Sequence, residues 1–391
     1  MTQVETRPWF ILGYVHLAAA ALLALLAAAP PPVFPAQLHY LVGASGVFLV
    51  GGALAYGFAS PFTKREVRSA WLSQAAIAFV FAGDGLILLT TIIHGDTMRA
   101  ATLLYGAAFL VVPIDLLITA TAGARWRDGI ALYAKDQPFR LGDIMAVTSF
   151  ALSLLMLFGA GALLVWFPRR LPSAGLVLFT LGYALPFFAG ILVFLLPRNA
   201  KRKLDGITLV GAALVVESIA AISLALAFLF PRVVDFRLPS AGVLLAILLC
   251  GAAFLRIKFP QPHGAQVRRA LPLLRASAAL ALLAGVALPL SLAGGGPGPL
   301  FGPAAYAVLL LCAFLAATCT LFGAPILLNA VPREGSWAKW SGVLAITGLF
   351  LVAPAFQYSR AAFPGAIIMV LSAMLLLWGL APLRSPRRDC D

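Results

Sequence analysis

The chain has 391 residues, of which 62% are hydrophobic and 11% charged, and its formal net charge is +14. Soluble domains carry roughly 25% charged residues, so the composition excludes a soluble globular fold and leaves no room for a soluble catalytic domain. Helical crossing of the hydrocarbon layer takes about 20 mostly apolar residues, and runs of that kind recur along the whole chain.

Twelve spans are expected, at 9–29, 38–58, 71–93, 99–121, 143–167, 173–197, 205–230, 238–256, 269–293, 303–328, 338–358 and 361–383. The expected fold is therefore an all-α integral membrane protein, a single polytopic domain over 1–391. Strands of a membrane barrel would instead alternate polar and apolar residues in segments of about ten. The first span ends in "LLAAAPPP" at 25–32, which looks like the end of a secretory signal. The apolar run before it is longer than a signal core, and it reads as a span.

The second span opens with His39 in "LHYLVGASGVFLVGG" and closes on the basic cluster "TKRE". The third carries Asp84 in "VFAGDGLIL" and reaches His94 in "TTIIHGDTMRAA". In the fourth, Asp115 in "VVPIDLLI" follows Pro113, whose missing N–H frees a carbonyl and favours a kink. Glu217 in "LVVESIAA" lies mid-span in the seventh, and Arg275 in "LLRASAAL" is the one base inside a span, in the ninth. The cysteines, Cys250, Cys312, Cys319 and Cys390, form no CxxC or Cys/His cluster, and Cys312 and Cys319 share one helix face; they read as small buried thiols. "LAGGGPGPLFGP" lacks the strand and helix context of a phosphate loop and reads as a turn.

The charge is distributed by topology. With the N-terminus inside, the cytoplasmic segments hold Lys64, Arg65 and Arg68; Arg125, Arg127, Lys135 and Arg140; Arg198, Lys201, Arg202 and Lys203; and most of the remaining bases. The outer loops hold only Arg99, Arg169, Arg170, Arg232, Arg237 and Arg360. This positive-inside asymmetry puts both termini in the cytoplasm of a multi-pass cell-membrane protein. Anionic lipid headgroups, not nucleic acid, are the partners such basicity implies.

Two longer cytoplasmic links, 122–142 and 257–268, divide the spans into candidate four-helix repeats at 9–121, 143–256 and 269–383. The second, sixth and tenth spans each end in small residues, an apolar turn, a proline (Pro61, Pro197, Pro332) and a basic or mixed cluster. A major-facilitator transporter would divide six plus six around a long middle loop, but here that loop is the short "RNAKRKLD". Twelve spans in three sets of four, with both termini inside, resemble subunit I of the haem-copper oxidase superfamily, whose helices form three arcs. In that family the second span opens on the outer side with a haem-ligating histidine, and "LHYLVGASGVFLVGG" looks like that opening. The resemblance implies His39 as an axial ligand of a b-type haem, with His94 as the other outward histidine. Gly43, Gly46, Gly51 and Gly52 would let the flat macrocycle approach.

The sequence also departs from that pattern. Of its four histidines, His16 sits in the inner half of the first span and His263 in a loop, so spans six, seven and ten have no imidazole. No copper site is expected, and oxygen reduction by the family's mechanism is excluded. The resemblance implies an anchor or electron-transfer subunit, working with haem b or quinol beside other membrane or redox subunits of a respiratory-type complex.

The intramembrane charges point to a second class of function. A charge at bilayer centre costs roughly 2.5–3.5 kcal/mol on insertion scales, so such residues carry a functional hypothesis by default. Asp84, Asp115, Glu217 and Arg275 are candidates for a proton or ion path in a secondary transporter or channel. The structural alternative is an Arg275-to-acid pair, or neutral carboxyls hydrogen-bonded between helices.

Overall fold

The computed structural model describes residues 6–28, 36–63, 70–90, 97–121, 140–166, 172–200, 206–230, 232–235, 237–259, 265–293, 303–327, 333, 335–352 and 359–381. Twelve helices account for nearly all of them, and no strand occurs among them. They are α1 (Thr6–Ala28), α2 (Ala36–Thr63), α3 (Ala70–Thr90), α4 (Thr97–Thr121), α5 (Arg140–Trp166), α6, α7 (Ile207–Leu229), α8 (Arg237–Arg256), α9 (Ala265–Ala293), α10 (Pro303–Leu327), α11 (Trp337–Val352) and α12 (Ser359–Leu380). The rod α6 runs on through three pieces, Pro172–Val177, a π-helical stretch Leu178–Ala184, and Leu185–Ala200.

The apolar runs of the sequence thus became helices close to the expected boundaries. The widened turn of α6 was not foreseen, although its cause is local. Pro186 has no N–H to give the Gly182 carbonyl, and its ring crowds that carbonyl. The backbone shifts by one, and the Leu185 N–H bonds Thr180 O, five residues back.

Among the described residues nine helices are long and apolar enough to cross a membrane, and the apolar stretches Ala307–Gly323 of α10 and Trp337–Leu351 of α11 are shorter. This is the architecture of an integral membrane protein. Its outward surface is apolar, with Leu117, Leu155, Val215 and Ile219 exposed. Exposed Trp71, Trp166 and Trp340 stand near helix ends, where amphipathic rings favour a bilayer interface.

Helices consecutive in the chain run antiparallel. Gly13 of α1 meets Val50 of α2 while Leu17 meets Gly46 and Ala20 meets Gly43; Leu164 of α5 meets Gly175 of α6 while Ser149 meets Gly190. Helices further apart in the chain also meet running the same way, as α2 does with α4 through Phe48–Phe109 and Tyr56–Asp115, and three of them lie at the centre. Gly43 and Gly57 of α2 meet Leu309 and Leu327 of α10, and Gly51 of α2 meets Tyr183 of α6. Thr180 and Phe188 of α6 meet Cys312 and Cys319 of α10. So α2, α6 and α10 run parallel, and they are also the most buried helices: the span Ala174–Ala200 is 100% buried and His39–Ala59 89%. Around them α4 packs on α5, α8 on α9, and α12 returns to α1. We call the side where α1 starts and α2 ends the near face, and the opposite side the far face.

Without a hydrophobic drive between helices in lipid, close backbone approach at small residues holds such pairs together. Two backbones approach closely at Gly13 against Gly46, where a side chain on either would strike the other's carbonyl oxygen, and again at Gly106 against Gly161. Gly46→Leu is therefore expected to destabilise the protein by about 2 kcal/mol or more. Gly85→Ala, placed where nothing lies within 4 Å of the new methyl group, should stabilise it by about 0.5–1 kcal/mol through helix propensity. Unfolding in a mild detergent with increasing denaturant measures both.

Candidate functional site

The densest polar cluster inside the bundle is centred on Asp84, in the far half of α3, and draws one side chain from each of three other helices. Asp84 Oδ1 accepts hydrogen bonds from Ser45 Oγ of α2 at 3.0 Å and from the Tyr105 hydroxyl of α4 at 2.5 Å. Its Oδ2 lies 3.0 Å from His16 Nε2 of α1. All four residues are buried. Gly83 makes room for the Tyr105 ring beside Asp84, and Phe81 stands edge-on to the His16 ring at 5.1 Å.

The hydrogen-bond pattern fixes a proton count. His16 Nδ1 lies 2.7 Å from the Leu12 carbonyl oxygen, which can only accept, so Nδ1 carries hydrogen. A contact between Nε2 and Oδ2 then needs one more proton, either on Nε2 as an imidazolium–carboxylate pair or on Oδ2 as a neutral imidazole–carboxylic acid pair. In both cases the pair is neutral overall and holds one proton more than neutral His16 with ionised Asp84. Removing it would set a nitrogen lone pair against a carboxylate in apolar surroundings, where unpaired charge is most costly.

A second carboxyl lies nearer the opposite face. Asp115 of α4 is fully buried and its Oδ2 accepts from the Tyr56 hydroxyl of α2 at 3.0 Å. Asp115 Oδ1 and the Tyr183 hydroxyl, on the π-helical stretch of α6, are both buried and have no hydrogen-bond partner among the described residues.

The remaining candidates are separate. Glu217 on α7 is buried, neither carboxyl oxygen has a hydrogen-bond partner among the described residues, and it lies within electrostatic reach of Cys250 and Cys312. Among the described residues Arg275 meets no acid: its guanidinium donates to the carbonyls of Phe254 at 2.9 Å, of Leu255, and of Ile257 at 2.7 Å. These are orphan carbonyls at the end of α8, and Arg275 caps them. Cys312 and Cys319 turn one face to α6, donating to Thr180 O and Phe188 O.

His39 is buried near the far end of α2, and His94 lies outside the described residues. The four glycines expected to admit a macrocycle face protein instead. The space beside Gly43 is filled by Leu309, beside Gly46 by Leu17 and the Gly13 carbonyl, beside Gly51 by the Tyr183 hydroxyl, and beside Gly52 by the Trp9 ring. The four glycines therefore face three different helices, and none has room beside it for a planar haem. Among the described residues no three of His, Cys, Asp and Glu group as metal ligands.

Sequence reasoning found Asp84 and Asp115 but passed over His16, Ser45, Tyr56, Tyr105 and Tyr183. The available signal was economy: an imidazole and a carboxyl inside nearby spans each need a partner, and His16 was the one imidazole well inside a span. Compared with known proteins, the chain matches no family model and no curated sequence.

A double-mutant cycle tests the pair. Asp84→Leu alone strands three donors and His16→Phe alone leaves a carboxyl short of one partner. The double variant is expected to be more stable than the summed losses by about 1–3 kcal/mol, read from unfolding in mild detergent.

Proposed function

We propose that the protein is a proton-linked membrane transporter, moving protons with or against a solute through the α1–α4 part of the bundle. The observation that carries this reading is the His16–Asp84 contact, which requires one bound proton and joins α1 to α3 while Ser45 and Tyr105 tie the same carboxylate to α2 and α4. A proton bound there neutralises the pair and holds four helices together. Its loss replaces an attraction by a repulsion at one point, and the differential interaction free energy is what lets a ligand shift a helix bundle between two arrangements. Arg275 serves as a helix cap in this reading, and Glu217 is a separate buried acid. The excess of Lys and Arg at the near face supports a cytoplasmic location for both termini in the cell membrane.

A second reading is favoured by a different observation. The second helix of each candidate repeat (α2, α6, α10) is innermost and parallel to its counterparts, and the last helix of each packs on the first of the next, α4 on α5, α8 on α9 and α12 on α1. That is the arrangement expected of three four-helix arcs, and it supports a scaffold resembling haem-copper oxidase subunit I. Such a subunit would anchor or serve redox partners in a respiratory-type complex.

Two measurements separate the readings. In proteoliposomes with a trapped pH-sensitive dye, the wild type should move protons down an imposed gradient, alone or with one of a panel of solutes. Asp84→Asn should slow that flux about a hundredfold. A wild type that moves no protons under any of these conditions removes the transporter reading. A reduced-minus-oxidised absorption spectrum with a near-stoichiometric b-type signal, lost in His39→Ala, would establish the electron-transfer reading in its place.

A further inference from the structure

The His16–Asp84 site accounts for proton binding in the far half of the bundle but offers no route to the near face. Ser45 and Tyr56, which contact Asp84 and Asp115 respectively, lie on one face of α2 three turns apart, roughly 16 Å along the axis at 1.5 Å per residue. Between them that face carries Phe48, Leu49 and Gly52, none able to pass a proton. The space is filled by rings from four helices. Trp9 of α1 lies 5.4 Å from Tyr56 and 6.2 Å from Phe48, Phe48 lies 4.9 Å from Phe109 of α4, and Phe109 stacks on Phe179 of α6 at 4.7 Å. Phe179 is followed at 5.7 Å by Tyr183.

We infer that Asp115 and Tyr56, together with the Tyr183 hydroxyl, form a second proton-binding station in series with the first, and that the Trp9–Phe48–Phe109–Phe179 ring cluster is the gate between them. The inference rests on the transporter reading and adds the near-side half of its path. Three features of the near-side station support it. Asp115 Oδ1 is buried and has no hydrogen-bond partner among the described residues, so it is an atom able to take a proton. Tyr56 already holds the other carboxyl oxygen, which fixes the orientation of Oδ1. The Tyr183 hydroxyl, also buried and without a partner among the described residues, lies against Gly51 one turn and a half from Tyr56 and within electrostatic reach of it. Its position is set by the π-helical turn that Pro186 imposes, and such turns concentrate at functional sites.

Among the described residues the titratable groups facing Asp115 are thus Tyr56 from α2 and, beyond it, Tyr183 from α6. Of the other helices packed on α4, α3 contributes only Asp84, in the far half, and α5 contributes none over 144–166. When the rings part and water enters, the proton released by the His16–Asp84 pair is carried by water and taken up by the Asp115 carboxylate, giving the acid. Its release to the near face restores the carboxylate. With the rings closed, the cluster excludes the water a proton would need.

The test uses the full chain in proteoliposomes with two readouts: transmembrane proton flux, and the carboxyl band of Asp84 in infrared difference spectra after a pH step, assigned by its loss in Asp84→Asn. Asp115→Asn and Tyr183→Phe are expected to keep the Asp84 band and to slow flux, the former about a hundredfold. Phe109→Ala, which removes a ring from the gate, is expected to raise the proton leak. Each variant is first shown to elute as a single folded species. Wild-type flux that persists unchanged in both Asp115→Asn and Tyr183→Phe would overturn the second station while leaving the transporter reading intact, and an unchanged leak in Phe109→Ala would overturn the gate. Absence of flux in the wild type itself overturns both readings together.

Discussion

A carboxyl group carried into an apolar bundle has to find its donors on other helices, because lipid offers none and the N–H groups of its own helix are already used. That constraint organises this structure. Asp84 is satisfied only because α1, α2 and α4 each bring a donor to α3. Tyr14 of α1 reaches Thr320 of α10 at 2.7 Å, and Ser341 of α11 exchanges hydrogen bonds with Ser372 of α12. Each contact fixes the register of two helices that packing alone would leave free to slide.

The same constraint separates structural polar groups from candidates for function. Arg275 is spent on carbonyls that would otherwise be orphaned at the end of α8. The hydroxyls of Thr180, Ser218, Ser277 and Thr320 return to carbonyls of their own helices, as small hydroxylated residues in apolar helices commonly do. The His16–Asp84 pair differs in kind, since its geometry can hold only while one proton is bound. A contact that depends on a proton can be made and broken by one, which sets this pair apart from the helix caps and the self-bonded hydroxyls.

The glycines of α2 show how packing decides between two chemistries read from one motif. A run of small residues beside a histidine is equally consistent with a flat cofactor and with close helix packing. Leu309, Leu17, Tyr183 and Trp9 occupy the space next to Gly43, Gly46, Gly51 and Gly52, so the run serves the central contacts of α2 with α1, α6 and α10.

Sequence by itself determined the helical class and the approximate places of the helices, because apolar runs long enough to cross a bilayer leave few alternatives to helix and their ends are marked by charge, proline and glycine. It also located Asp84 and Asp115, since a charge within such a run is conspicuous. Tertiary structure alone decided which of these acids has partners. His16 and Asp84 are sixty-eight positions apart, and nothing in the local pattern of either span records which face of α1 turns toward α3. It also decided that Arg275 caps a helix and that Tyr183 faces Gly51, because helix rotation and register follow from side-chain fit across several helices at once. That fit is a property of the assembled bundle and not of any one of its segments.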